Sequence, residues 1–201
     1  MSKSKLKAIH KTSAHSATIV GAAHGLDLKA ISSEKKIFAI NSAYFYLQEK
    51  GINPTALITG DKRFIARTGI EAFKKIKVIT FLDNDEETND LHRRSIPNLE
   101  LYQCLGRDGF SSDFNAGFYH GCSTFFFAVQ YLVSMGYTEI DTVGVNFPPP
   151  EMYARVSGVV GHPEFVYDIQ LKNLHSLKKF LNSTNTEVNC LDKNSNLSIF
   201  L

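Results

Sequence analysis

The chain has 201 residues, enough for one sizeable hydrophobic core and too few for two comfortable domains. Its composition is that of an ordinary globular protein (43% hydrophobic, 21% charged), and a net charge of +2 is too small to call for a nucleic-acid partner. Cys104, Cys122 and Cys190 are odd in number and form no CxxC pair, so neither a zinc site nor a disulfide framework is implied.

These features fit a reducing cytoplasm. No apolar run reaches the roughly 18 to 20 residues of a membrane span, and the N-terminus lacks the apolar core of a signal peptide. Residues 1–16, rich in Ser, Lys and His, read as a flexible basic tail. A sharper alternative is weak attraction to anionic lipid, which would bring the protein to the inner face of the membrane as a peripheral partner. Residues 17–201 read as a single α/β domain.

Ala17-Thr18-Ile19-Val20 is a short buried-strand pattern that runs into Gly21-Ala22-Ala23-His24-Gly25. Small residues there let backbone N–H groups approach an anion, or serve only to pack a tight βα turn. The turn is neither a Walker loop nor a full G-x-G-x-x-G. Lys36 to Asn41 is a second strand ending in an amide, and the helix from Ser42 is closed by Gly51 and Pro54. Thr55 to Gly60 is a third strand, followed by Asp61, which can cap a helix. Ile65 to Lys75 has the pattern of an amphipathic crossover helix, and Lys77 to Phe81 that of a fourth strand.

Asp83-Asn84-Asp85 then offers two carboxylates. They can hold a divalent cation against a diphosphate, or sit at the start of a helix and complement its dipole. Leu99 to Cys104 is a further strand, and Gly106 to Gly121 a long irregular segment of the kind that often carries function. Ser123 or Thr124 caps an almost wholly apolar helix that runs to Met135. The next strand, from Ile140, ends at Gly144-Val145-Asn146-Phe147 and is stopped by Pro148-Pro149-Pro150. Tyr153 and His162 follow it closely, and Glu164 to Asn182 has helical spacing before a last strand, Thr186 to Leu191. Strands alternating with helices argue a Rossmann-like, doubly wound, mostly parallel sheet, with a short lid over about residues 148–162. In such sheets ligands bind at the carboxyl edge, which makes Asn146, Tyr153 and His162 the candidate site.

Taken together, these pieces resemble the bacterial lipooligosaccharide sialyltransferases of glycosyltransferase family 42, and a related bacterial domain similar to archaeal pterin pyrophosphokinases. The matching residues are Ser123-Thr124, Gly136-Tyr137-Thr138-Glu139-Ile140, Gly144-Val145-Asn146-Phe147, Gly161-His162, Cys190-Leu191 and Asn194-Ser195-Asn196-Leu197, with Ile19-Val20-Gly21, Asn41 and Tyr44 more loosely. The resemblance implies transfer of a sialic-acid-like sugar from a CMP-sugar donor to a hydroxyl of a glycan acceptor. It implies no required metal or cofactor. His162 would be the base and Tyr153 the contact to the departing phosphate. Gly21, Ala22, Asn41, Ser123, Thr124, Gly144, Asn146 and Phe147 would line the CMP pocket.

The chain departs from that family in several places. Gly21-Ala22-Ala23-His24-Gly25 stands for Gly-Asn-Gly-Pro-Ser, Gly121 for an arginine, Gly60 for an asparagine, Asn146 for an aspartate and Pro148 for a tyrosine. The lid is also about half the family's length. Two other readings follow: a nucleotide-binding module of this fold without transferase activity, or a diphosphate-transferring enzyme using Asp83 and Asp85. A homo-oligomer is compatible with either.

Overall fold

The structure, a computed structural model, describes residues 15–23, 26–147, 164–193 and 195–201. The expected lid, Tyr153, His162, His24 and all but the last two residues of the basic tail lie outside the described residues. Seven parallel strands form one sheet, in the order β5-β4-β3-β2-β1-β8-β9. They are β1 (Ser16–Val20), β2 (Lys36–Ile40), β3 (Ala56–Thr59), β4 (Lys77–Phe81), β5 (Asn98–Tyr102), β8 (Glu139–Val143) and β9 (Glu187–Cys190). Two more, β6 (Cys104–Gly106) and β7 (Phe118–Tyr119), pair separately.

The central strands are buried along nearly their whole length, as expected where helices cover both faces of a parallel sheet. One face carries Ile19, Phe38, Ile58, Ile79 and Ile140 under two helices, α4 (Thr124–Ser134) and α5 (Glu164–Thr184). The other carries Val20, Ala39, Leu57 and Val78 under α1 (Ala43–Glu49) and α2 (Lys62–Thr68), with Ile96 closing α3 (Glu86–Ser95) against it. This is the doubly wound Rossmann-like arrangement read from the sequence.

The structure corrects three details. The crossover expected as one helix from Ile65 to Lys75 is instead α2, then a 3-10 turn over Ile70–Phe73. Gly69, at φ +85°, breaks the helix between them. The segment from Gly106 to Gly121 is not wholly irregular, because its end supplies β7. Ser16 lies in β1 rather than in a tail, and the preceding His15 carbonyl accepts the Thr138 N–H at 3.0 Å.

The chain runs outward from β1 through β5, then returns to place β8 on the other side of β1. The strand order therefore reverses between β1 and β8. In open α/β sheets the crevice beyond the carboxyl ends at such a reversal is where ligands bind.

Candidate functional site

At that reversal β1 and β8 end in glycines that touch through their backbones. Val20 pairs with Val143, the Gly21 N–H donates to the Val143 carbonyl at 2.8 Å and the Ala23 N–H to the Gly144 carbonyl at 2.9 Å. A Cβ at Gly21 would lie 2.3 Å from the Gly144 carbonyl oxygen, and one at Gly144 equally close to that of Gly21. Gly144 also sits at φ +68°, a conformation that L side chains resist. Only glycine serves at either position.

The neighbouring strand ends supply polar groups. Asn41 follows β2 with φ 50°, the left-handed region that asparagine visits more readily than most residues. Its backbone is fully used, donating to the Ile58 carbonyl and accepting from the Tyr44 N–H. Its side-chain Oδ1 is buried and has no hydrogen-bond partner among the described residues. Leaving a buried acceptor unpaired costs about 1–3 kcal/mol, so this oxygen is a natural place for a ligand donor. Gly60, after β3, donates its N–H to Thr124 Oγ1 at 3.1 Å, which ties that strand end to the start of α4. Ser123 caps α4, its Oγ accepting the Phe125 N–H at 3.3 Å.

Beyond β8 the side chains turn toward the C-terminal segment. Asn146 Oδ1 accepts the Asn196 N–H at 3.2 Å. Ser195 Oγ donates to the Val145 carbonyl at 2.7 Å. The Phe147 ring packs against Phe125 and Phe126, with centroids 5.6 and 5.5 Å apart. Gly21, Ala22, Asn41, Ser123, Thr124, Gly144, Asn146 and Phe147 thus all lie at strand ends or helix starts on the carboxyl side of the sheet.

Four residues that the sequence did not single out shape the electrostatics. Asp192, just past β9, accepts the Gly144 N–H on Oδ2 at 2.7 Å. Burial raises its pKa, with a further push from the Asp27 carboxylate, against the stabilising backbone donors of Gly144 and Val145. Leu26 covers the same spot, its Cδ1 only 2.8 Å from where a Gly144 Cβ would be. The β8 side of the crevice is therefore partly filled by the protein's own carboxylate and a leucine.

The α4 side differs. His120 Nδ1 accepts the Cys122 N–H at 2.9 Å, across a turn whose Gly121 and Cys122 both have positive φ (59° and 57°). Burial, helped by the nearby Arg107 guanidinium, lowers the His120 pKa. With Nδ1 accepting from Cys122, the neutral ring carries its proton on Nε2. The rule that flagged Asn41, a polar residue just past a strand, also fits Asp192. His120 gave a fainter signal, standing three residues before a helix cap.

The Asp83-Asn84-Asp85 stretch adopts the helix-capping alternative. Asp85 accepts the Glu87 and Thr88 N–H groups, and Asp83 Oδ1 accepts the Asp85 N–H. Asp61 likewise caps α2 through the Arg63 N–H, and its carboxylate also holds the side chains of Arg63 and Arg67. The three cysteines are free, and burial raises the Cys122 thiol pKa.

No protein-family model matches the chain, and no curated protein matches it by sequence. Solved structures do. An alpha-2,3-sialyltransferase from Campylobacter jejuni in apo form superposes with a TM-score of 0.56 at 14% identity, covering 94% of this chain and 79% of that one. The sialyltransferase CST-II in complex with a trisaccharide acceptor and CMP gives 0.54 at 14% identity, over 92% of this chain and 84% of that one. A thiamine pyrophosphokinase from Bacillus subtilis gives 0.44 at 13% identity; this chain spans 60% of its length. At such identities the likeness to the sialyltransferases is one of fold: a parallel Rossmann-like sheet with the same layering.

Proposed function

We propose that this protein binds a CMP-activated, sialic-acid-like sugar across the carboxyl ends of β1, β2 and β3 and transfers it to a glycan hydroxyl. The observation that carries this reading is the buried Asn41 Oδ1, without a hydrogen-bond partner among the described residues, at the end of β2 next to the β1/β8 reversal. An exocyclic amine or a hydroxyl of a nucleoside would satisfy that oxygen. The fold shared with CMP-binding sialyltransferases supports the choice of nucleotide.

In the transfer, the acceptor oxygen attacks the anomeric carbon and the bond from that carbon to the phosphate oxygen breaks. CMP departs with the bonding pair, and His162 accepts the acceptor's proton. Tyr153 and backbone donors stabilise the growing phosphate charge without a metal.

A thermal-shift panel of CMP, CDP, UDP, GDP and ATP, with and without EDTA, tests binding. CMP should raise the melting temperature most, and EDTA should change nothing. CMP release from CMP-sialic acid tests transfer, and His162→Ala should abolish it while keeping the CMP shift. A CMP shift without turnover in the wild type, across glycan acceptors, would favour a binding module. Absence of any CMP shift would end the proposal.

A further inference from the structure

Charge along the carboxyl edge is uneven. Asp27 and Asp192 stand on the β8 side, where the Gly144 N–H is already taken by a carboxylate. An incoming anion meets repulsion there. On the α4 side the last step of the small sheet pairs Gly106 with Tyr119, and the His120 N–H donates to the Gly106 carbonyl at 3.0 Å. The residues that follow each partner, Arg107 and His120, are thereby brought side by side. Arg107 is exposed, lies over the Phe165 ring at 5.5 Å and makes no ion pair with a described residue, while its neighbour Asp108 is engaged by Lys172. His120 is oriented by the Cys122 N–H on Nδ1, and its Nε2 has no hydrogen-bond partner among the described residues. Its ring lies 6.2 Å from that of Phe81, whose edge is also beside Gly60 at the end of β3. Gly60 in turn is bonded to Thr124.

We propose that the His120 Nε2–H, in the field of the Arg107 guanidinium, receives an oxyanion of the bound nucleotide sugar on the α4 side of the edge. The oxyanion is the phosphate or the sugar carboxylate. This assignment rests on the nucleotide-sugar reading above. It sets Arg107, which makes no ion pair with a described residue, beside that position, whereas Arg63 and Arg67 are both paired with Asp61.

Two near-isosteric substitutions separate the ring's two jobs. His120→Asn keeps an acceptor at the Nδ1 position for the Cys122 N–H and deletes Nε2. His120→Gln keeps a donor near Nε2 and loses the turn contact. Calorimetric titration of the full chain with cytidine, CMP and a CMP-3-fluoro-sialic acid reads the result. If the phosphate is bound, His120→Asn weakens CMP about tenfold, the loss expected for a hydrogen bond to a charged group. Cytidine affinity stays the same, and His120→Gln stays within about threefold of wild type. A loss confined to the fluoro-sugar nucleotide identifies the carboxylate instead. Wild-type affinity of His120→Asn for all three ligands overturns the assignment and leaves the nucleotide reading intact. No binding of any ligand to wild type sinks both. Should His120→Asn fail to fold, Arg107→Gln, a change at an exposed side chain, carries the test: unchanged affinity for both CMP and the fluoro-sugar nucleotide, with unchanged salt dependence, refutes the proposal.

Discussion

Replacing Gly21 by alanine tests whether the β1/β8 reversal depends on direct backbone contact. The new Cβ would sit 2.3 Å from the Gly144 oxygen and 3.0 Å from its carbon, both backbone atoms that cannot rotate away. Relief requires the strand ends to part by about 1 Å, and overpacking of this kind costs about 1–3 kcal/mol. The hydrogen bonds from Gly21 to Val143 and from Ala23 to Gly144 flank the contact. Weakening them adds about 0.5–1.5 kcal/mol each, for a total of about 2–6 kcal/mol. Gly51→Ala is the control, because Gly51 has φ +76° but nothing within 4 Å of a built Cβ. It bears only the left-handed backbone cost of about 1–2 kcal/mol. For a chain of this size each kcal/mol lowers the melting temperature by about 2–4 °C. Thermal melts should therefore place Gly21→Ala roughly 4–24 °C below wild type and Gly51→Ala roughly 2–8 °C below. A Gly21→Ala protein that melts no lower than Gly51→Ala would show that the strand ends are not held in contact.

Two further perturbations address charges. Lys35 bridges Glu139 at 2.5 Å and Asp141 at 2.7 Å, and the Lys35 and Asp141 side chains are only 17% and 10% exposed. Burial alone would lower the Lys35 pKa, but its two carboxylate partners outweigh it and the net shift is upward. Lys35→Met leaves the Asp141 carboxylate with the Asn189 amide at 3.4 Å and should cost about 1–3 kcal/mol in urea unfolding at pH 7, with Asp141→Asn added to it restoring part of the loss. An additive double mutant would argue that the pair is not coupled.

Asp192 behaves in the opposite sense to a salt-bridged carboxylate. Its folded pKa is raised above the ordinary 3.8, so the folded state favours the neutral acid. Its contribution is intact below pH 3.8 and is lost as the pH rises through the elevated value. Asp192→Asn keeps an acceptor for the Gly144 N–H. It should match wild type at low pH and become the more stable protein as the pH rises to 7. A wild type that gains on the variant over that range would contradict the burial argument.

Much of this molecule is local and was legible as such. The strand runs from Ala17, Lys36, Thr55 and Lys77 are continuous apolar stretches because a doubly covered parallel sheet buries both faces of each strand. Asp61 and Asp85 could be read as candidate caps because a cap needs only the two or three residues that follow it. Gly69 was missed as a helix break because an amphipathic pattern continues across it and only its positive φ interrupts the helix. The pairing of Cys104–Gly106 with Phe118–Tyr119 was missed because strands of two or three residues carry no period to detect.

The amino-acid order alone settled the alternation of strands and helices, the parallel sheet and the edge at which polar residues collect, since each depends on neighbours within a few positions. It could not say that Gly21 and Gly144 touch, that Asp192 takes the Gly144 N–H, or that Arg107 and His120 share one end of a small sheet. Those facts arise only when strands distant in the chain lie side by side. Burial and Coulomb interactions then act across space, as where burial and the Asp27 carboxylate raise the pKa of Asp192.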